Sequence, residues 1–210
     1  MTGIDENAGD ALFRREARFA AGADTPGRIP PPTLPEVAFA GRSNVGKSSL
    51  INALTNRRAL ARASNTPGRT QQINFFDLGG AFFLVDLPGY GYAAASKTKA
   101  ENWNEMVQGY LCSRPTLRRV FVLVDARHGL KDSDRDALAM LEDARVPYTV
   151  VLTKADKISA DECHATVAQV EEELRQNASC AALQVFAVSS SRKSGLERLR
   201  GAVAAELVLM

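Results

Sequence analysis

Residues 41–48 read GRSNVGKS: a glycine, four residues, then Gly46, Lys47 and Ser48. Glycines at this spacing let a loop curl until several backbone N–H groups converge on one point. A helix starting where the loop ends adds the positive end of its dipole. Such a cradle suits phosphate. Lys47 would reach the outer phosphates of a polyphosphate chain, and the Ser48 hydroxyl is a hard oxygen ligand suited to Mg²⁺. The motif does not choose among nucleotides.

The stretch TKAD (153–156) makes that choice. The Asp156 carboxylate can accept two hydrogen bonds from guanine, from N1–H and from the 2-amino group. Adenine would face it with a bare acceptor at N1. The aliphatic stem of Lys154 can lie against the base. Many GTPases carry Asn where this chain has Thr153, whose shorter hydroxyl is expected to brace the loop less well. In SSSRKSG (189–195), backbone N–H groups around Ser189 and Ser190 are placed to meet guanine O6. SNTPGRTQQ (64–72) offers two threonines. Thr70, beside a predicted strand, is the better Mg²⁺ ligand; Thr66 precedes a proline. In DLPG (86–89), Asp86 would hold Mg²⁺ through water and the Gly89 N–H would sense the γ-phosphate. Loss of that phosphate would release both loops.

Many such switches follow the glycine with a glutamine that positions the attacking water. This chain has Tyr90. A phenol cannot accept from water and donate at once in one compact plane. Catalysis is therefore expected to rest on Lys47, Mg²⁺, Thr70 and backbone N–H groups such as that of Gly89. A partner that orders the loops, or a K⁺ ion held by Asn44, would supply the rest. Tyr90 reads as a packing or docking residue. The alternative is a guanine-nucleotide-binding module with negligible hydrolysis that docks on RNA or protein.

These residues need a scaffold that gathers them. After Pro35 apolar strands alternate with helices: EVAFA (36–40), a helix within GKSSLINALTN, a hairpin of 73–78 and 81–87 around Gly79–Gly80, and a helix containing Trp103. RVFVLVD (119–125), a helix over 133–144 capped by Asp132 or Ser133, YTVVLTK (148–154), a helix from Ala160, LQVFAVS (183–189) and a closing helix follow. The pattern predicts a three-layer α/β fold, a mostly parallel six-stranded sheet with one antiparallel strand and helices on both faces. In such sheets ligands bind beyond the carboxyl ends of the strands, where these motifs fall. Residues 34–210 form one predicted domain. Residues 1–33, rich in Ala, Gly and Arg and ending in RIPPPTLP, read as a mobile arm with room for a short ordered piece near Phe19.

A chain of 210 residues, 45% of them hydrophobic, can build such a core. Its apolar runs are too short to span a bilayer, and its N-terminus lacks a signal-peptide core, so a cytoplasmic protein without membrane contact is expected. Three cysteines without C-x-x-C spacing suit free thiols. The net charge of +2 hides a bias: residues 37–76 contain no acid but hold Arg42, Lys47, Arg57, Arg58, Arg62 and Arg69. Such a basic run suits nucleotide phosphates, and also a polyanion such as RNA. A monomer is expected.

EVAFAGRSNVGKSSLIN, TPGRTQQINFF, LVDLPGYGYA and LTKADK closely resemble the EngB family (YihA/YsxC), which belongs with the Era/TrmE-like P-loop GTPases. The likeness runs from about Phe19 to the C-terminus. Thr153 and Tyr90 look like this family's own forms. The resemblance implies a GTP/GDP site built from Gly41, Arg42, Ser43, Asn44, Val45, Gly46, Lys47 and Ser48; from Gly68, Arg69, Thr70, Gln71 and Gln72; and from Asp86, Leu87, Pro88 and Gly89. Thr153, Lys154, Ala155 and Asp156 and then Val188, Ser189 and Ser190 complete it, with Mg²⁺ on Ser48 and Thr70. It further implies a slow GTPase acting in assembly of the large ribosomal subunit, needed for normal cell division and septation.

Overall fold

The computed structural model describes residues 4–61, 72–91 and 97–208, with backbone alone for 97–104 and 208. The centre of its sheet is formed by β2 (Glu36–Gly41), β5 (Leu117–Asp125) and β6 (Tyr148–Thr153). Their apolar residues point to both faces, as suits strands covered twice. β2 runs parallel to β5 and to β4 (Phe83–Asp86); β6 runs parallel to β5 and to the two-residue β7 (Phe186–Ala187). β3 (Ile73–Leu78) turns back on β4 through Gly79 and Gly80, at φ 59° and 68°. Two successive positive φ values are what a tight hairpin turn demands of glycine. β3 also pairs antiparallel with β1 (Ala17–Ala23), giving the order β1-β3-β4-β2-β5-β6-β7. The sheet is thus mostly parallel with one reversed strand, as the sequence predicts.

Alternate residues of each strand feed two cores. Val37, Phe39, Phe121 and Leu123 face α1 (Glu6–Phe13), α2 (Lys47–Leu54) and α6 (Leu196–Val208). Ala38, Ala40, Val120 and Val122 face α3 (Lys97–Ser113), α4 (Asp132–Asp143) and α5 (Ala160–Asn177). The first residue of β2, Glu36, is fully buried. It accepts from Tyr110 Oη at 2.7 Å and Thr116 Oγ1 at 2.9 Å and pairs with Arg114 at 2.6 Å. A buried carboxylate is tolerable only with partners of this kind. They tie the end of α3 to the foot of the sheet, leaving the other end of β2 for the phosphate loop.

Two expectations need correction. The sheet has seven strands rather than six, and the seventh lies within residues 1–33, which read as a mobile arm. There α1 and β1 pack on the domain. Asp5 caps α1 by accepting from the N–H groups of Asn7 and Ala8, Asp10 pairs with Arg200 of α6 at 2.9 Å, and Phe13 meets Phe82 edge-on. At their crossing the two helices touch through glycines: a Cβ on Gly9 would stand 2.3 Å from the Gly201 nitrogen. Also, α4 is not capped by Asp132 or Ser133. Lys131 holds the N-cap position, and its N–H donates to Asp134 Oδ2 at 3.0 Å.

The glycine crossing generates a test. Gly201→Val forces a branched side chain against Ile4 and Asp5 and should cost about 1–3 kcal/mol in chemical denaturation. Gly109→Ala, on α3 with nothing within 4 Å of the added carbon, should leave stability unchanged or raise it by up to about 1 kcal/mol.

Candidate nucleotide site at the carboxyl edge of the sheet

Four parallel strands deliver the motifs to one edge. β2 ends at Gly41, which has no room for a side chain: a Cβ would stand 2.8 Å from Val45 Cγ1 and 3.0 Å from the Leu123 carbonyl. The chain then curls through Asn44 (φ 64°) and Gly46 (φ 103°) into α2, so that Lys47 and Ser48 open the helix. β4 ends at Asp86, and the Leu87 N–H donates to Phe39 O at 2.9 Å. Lys47 Nζ pairs with Asp86, both side chains nearly buried. The lysine expected to reach phosphate and the carboxylate expected to face the metal thus meet.

β6 ends at Thr153. Its Oγ1 donates to Val45 O at 2.7 Å and lies 3.2 Å from Val124 O. The expectation that a threonine braces poorly is therefore wrong: the hydroxyl reaches because it points across the sheet edge into the phosphate loop. Lys154 follows in the left-handed region (φ 57°), where Nζ donates to Asn44 O at 2.8 Å and Asp125 Oδ2 at 2.9 Å. Burial would raise the Asp125 carboxyl, but hydrogen bonds from Arg127 and Lys154 outweigh it and hold the group well below the usual range. The Asp156 carboxylate accepts from Ser189 Oγ at 2.6 Å, which lowers its pKa and fixes one of its oxygens. The Ser189 hydroxyl is held in turn by the Arg192 N–H at 3.0 Å. Ala155 N–H donates to Val188 O, joining this loop to the one after β7. The Ser189 N–H is taken by Ser194 O at 3.0 Å, so of the two amides expected to meet guanine O6, that of Ser190 remains.

Asp86–Tyr90 lies beside the phosphate loop. The Ser43 N–H donates to Tyr90 O at 3.1 Å, and Gly89 approaches Ser43 so closely that a Cβ would stand 3.0 Å from its Oγ. The Tyr90 ring is buried, and its hydroxyl donates to Asp134 Oδ1 at 3.0 Å. Burial, then the Asp134 charge, pushes the phenol far above its ordinary value. Burial also raises Asp134, more than its hydrogen bonds and the charges of Arg42 and Lys131 lower it. Tyr90 is thus a neutral donor locked into the start of α4. Asn44 is exposed, and its side chain makes no hydrogen bond among the described residues. Gln72 lies beside Gly22 of β1. Gly68, Arg69, Thr70 and Gln71 lie outside the described residues.

Sequence reasoning missed three positions: Asp125, which holds Lys154; Asp134, which holds Tyr90; and the side-chain role of Ser189. Asp125 carried a signal, as the acidic end of the apolar run VFVLVD.

The loop GRSNVGKS and the loop TKAD, linked at the carboxyl edge of this sheet, define a P-loop protein of the GTPase class. The family model described as 50S ribosome-binding GTPase matches residues 36–154, and that of the elongation factor Tu GTP binding domain matches 115–208. The probable GTP-binding protein EngB of Cereibacter sphaeroides is 52% identical over 197 residues, 94% of this chain and 90% of that one. Its namesake in Rhodospirillum rubrum is 48% identical over 203 residues, 94% and 87% of the two chains. The chain belongs to the EngB family of GTP-binding proteins. A solved structure of a probable GTP-binding protein engB has a TM-score of 0.66 at 22% identity, over 82% of this chain and 98% of that one. Era, solved with MgGDPNP and nucleotides 1506–1542 of 16S ribosomal RNA, has a TM-score of 0.64 at 18% identity, over 83% and 57%. These two likenesses show the fold.

Because the Tyr90 hydroxyl is buried on Asp134, Tyr90→Phe should act on stability rather than chemistry. Loss of about 1–3 kcal/mol in denaturation is expected, with single-turnover GTP hydrolysis changed by less than about threefold. A hundredfold fall in hydrolysis at unchanged stability would instead make the phenol a catalyst.

Proposed function

We propose that the protein is a Mg²⁺-dependent GTPase switch with slow intrinsic hydrolysis that acts on the large ribosomal subunit or its precursor. The observation that carries the nucleotide part is the linkage of Thr153 and Lys154 to the phosphate loop, with Asp156 held by Ser189 close by, which would put base and phosphate recognition on one edge. Lys47 would exchange Asp86 for the β and γ phosphates. The donors fit Mg²⁺: Ser48 hydroxyl, Asp86 carboxylate through water and Thr70 hydroxyl are all hard oxygens. Bound there, the ion would neutralise charge on the phosphates. Gly89 N–H would meet the γ-phosphate, and its close seat against Ser43 makes that contact sensitive to the nucleotide state. Asn44, exposed on the phosphate loop, is the residue that would hold K⁺.

The ribosomal part is supported by the family description, which names 50S ribosome binding, and by the basic run from Arg42 to Arg69. The EngB resemblance extends the role to normal cell division and septation. A cytoplasmic site of action is consistent with free Cys112, Cys163 and Cys180 and with helices that, among the described residues, are not long and apolar enough to cross a membrane. The buried Tyr90 favours a second reading: guanine-nucleotide binding with negligible hydrolysis until a partner engages.

One experiment covers both. Protein loaded with a non-hydrolysable GTP analogue should co-sediment with large subunits more than GDP-loaded protein, less so as salt rises. Single-turnover hydrolysis should be slow alone and faster with subunits. Equal sedimentation in both nucleotide states contradicts the switch. Hydrolysis absent in both conditions, with binding intact, selects the second reading.

A further inference from the structure

On the α1/α2/α6 face lies a cleft of about 350 Å³ whose wall carries Arg14, Arg15, Arg57 and Arg200 against a single carboxylate, Asp10. Asp10 is already used: Arg200 Nη1 donates to it at 2.9 Å. The other nitrogens of Arg200 donate to Leu54 O at 2.9 Å and Ala53 O at 3.0 Å. Arg15 reaches only Gly79 O, at 3.4 Å. Arg14, Arg57 and the neighbouring Arg58 are exposed, and their side chains make no hydrogen bond or ion pair among the described residues. The exposed acids of the adjoining elements, Glu6, Glu16 and Glu197, pair with none of them.

Arginines after helix ends often serve only to balance the helix dipole. At the end of α2 that task is already done, because Arg200 satisfies the carbonyls of Ala53 and Leu54. Arg57 and Arg58 sit instead on a loop held rigid by Asn52. Its Nδ2 donates to Ala61 O and its Oδ1 accepts from the Ala61 N–H, both at 2.8 Å, while Arg57 N–H donates to Asn52 O at 2.9 Å. Like charges held together on a fixed backbone repel unless an anion joins them. The cleft offers little to a peptide. Its aromatic residue, Phe13, is buried and covered by the Arg200 guanidinium, 6.0 Å from the ring centre, so no pocket waits for an apolar anchor. Guanidinium forks on both sides of a polar cleft suit phosphate oxygens.

We propose that the cleft between α1, α2 and α6 binds the phosphodiester backbone of RNA. Arg14 and Arg57 are the phosphate ligands, Arg58 flanks them, and Arg200 is the fixed basic floor. The inference rests on the ribosomal reading above and adds a surface to it. α2 starts at the phosphate loop and ends at the cleft, about 12 Å away at 1.5 Å per residue, so RNA and nucleotide can be bound together.

The test uses the full chain loaded with GDP and a fluorescein-labelled RNA hairpin, with anisotropy read between about 50 and 200 mM salt. The triple variant Arg14→Gln/Arg57→Gln/Arg58→Gln should bind the hairpin about tenfold or more weakly and lower the salt slope by about 2, with GDP affinity and Tm unchanged. The three Arg→Lys changes at the same positions should keep the slope. A control with the same charge change elsewhere, Arg145→Gln/Arg175→Gln/Arg198→Gln, should keep the wild-type slope. Wild-type binding with an unaltered slope in the first triple, or an equal loss in the control, overturns the cleft and leaves the ribosomal reading standing. No binding of RNA or large subunits by the wild type overturns both. Displacement by poly-glutamate in preference to RNA overturns the proposal in favour of an acidic protein partner.

Discussion

A hydroxyl and a carbonyl 2.7 Å apart hold the nucleotide edge together. Thr153 and Val45 are separated by 108 residues, yet the Thr153 Oγ1 donates to the Val45 carbonyl at the crown of the phosphate loop. Lys154 adds a second strap to the Asn44 carbonyl, itself anchored by Asp125. Both straps sit where parallel strands end and backbone groups have no ladder partner. They give the left-handed conformations of Asn44 and Lys154 a reason to persist, since such conformations need surroundings that over-determine them. Asp156, two residues beyond Lys154, is held by Ser189 through Oδ1 and lies 3.7 Å from Lys157 Nζ through Oδ2.

The segment carrying Gly89 is seated on the same loop through Ser43 and on α4 through Tyr90. Position 90 is therefore structural where related switches place a catalyst. With the phenol buried against a carboxylate, the proposed hydrolysis would need its water oriented by backbone groups, by ions or by a partner. Such a seat suits the slow, target-responsive switch proposed above. On the proposed function, the straps would act on how well the nucleotide binds, and the Tyr90 seat on how fast its γ-phosphate is released.

The glycine loop, the TKAD turn and the central strands are legible because each is local: glycine spacing, a carboxylate after a strand, runs of valine and leucine. Contacts across the sheet are not. Nothing near Thr153 in the chain announces Val45, and Tyr90 meets Asp134 only because β4 and α4 share an edge. Residues 1–33 read as an arm with a short ordered piece near Phe19, inside β1, because Ala-Gly-rich sequence carries weak periodicity; α1 has no signal there. What fixes α1 is the close approach of Gly9 to Gly201, a relation between the two ends of the chain, and what fixes β1 is its antiparallel pairing with β3. Gly79–Gly80 shows the contrast: there two adjacent glycines suffice to name the turn.

The central claim, that the Thr153 strap sets the spacing of base and phosphate recognition, is tested most directly by GDP titration of Thr153→Val beside Thr153→Ser. Valine keeps the shape and removes the donor, so the loops sample other spacings and the nucleotide must order them on binding. The account predicts that GDP affinity falls about tenfold in Thr153→Val, equivalent to about 1.4 kcal/mol, and stays near wild type in Thr153→Ser. Affinity in Thr153→Val within about twofold of wild type, with the protein folded, would contradict it.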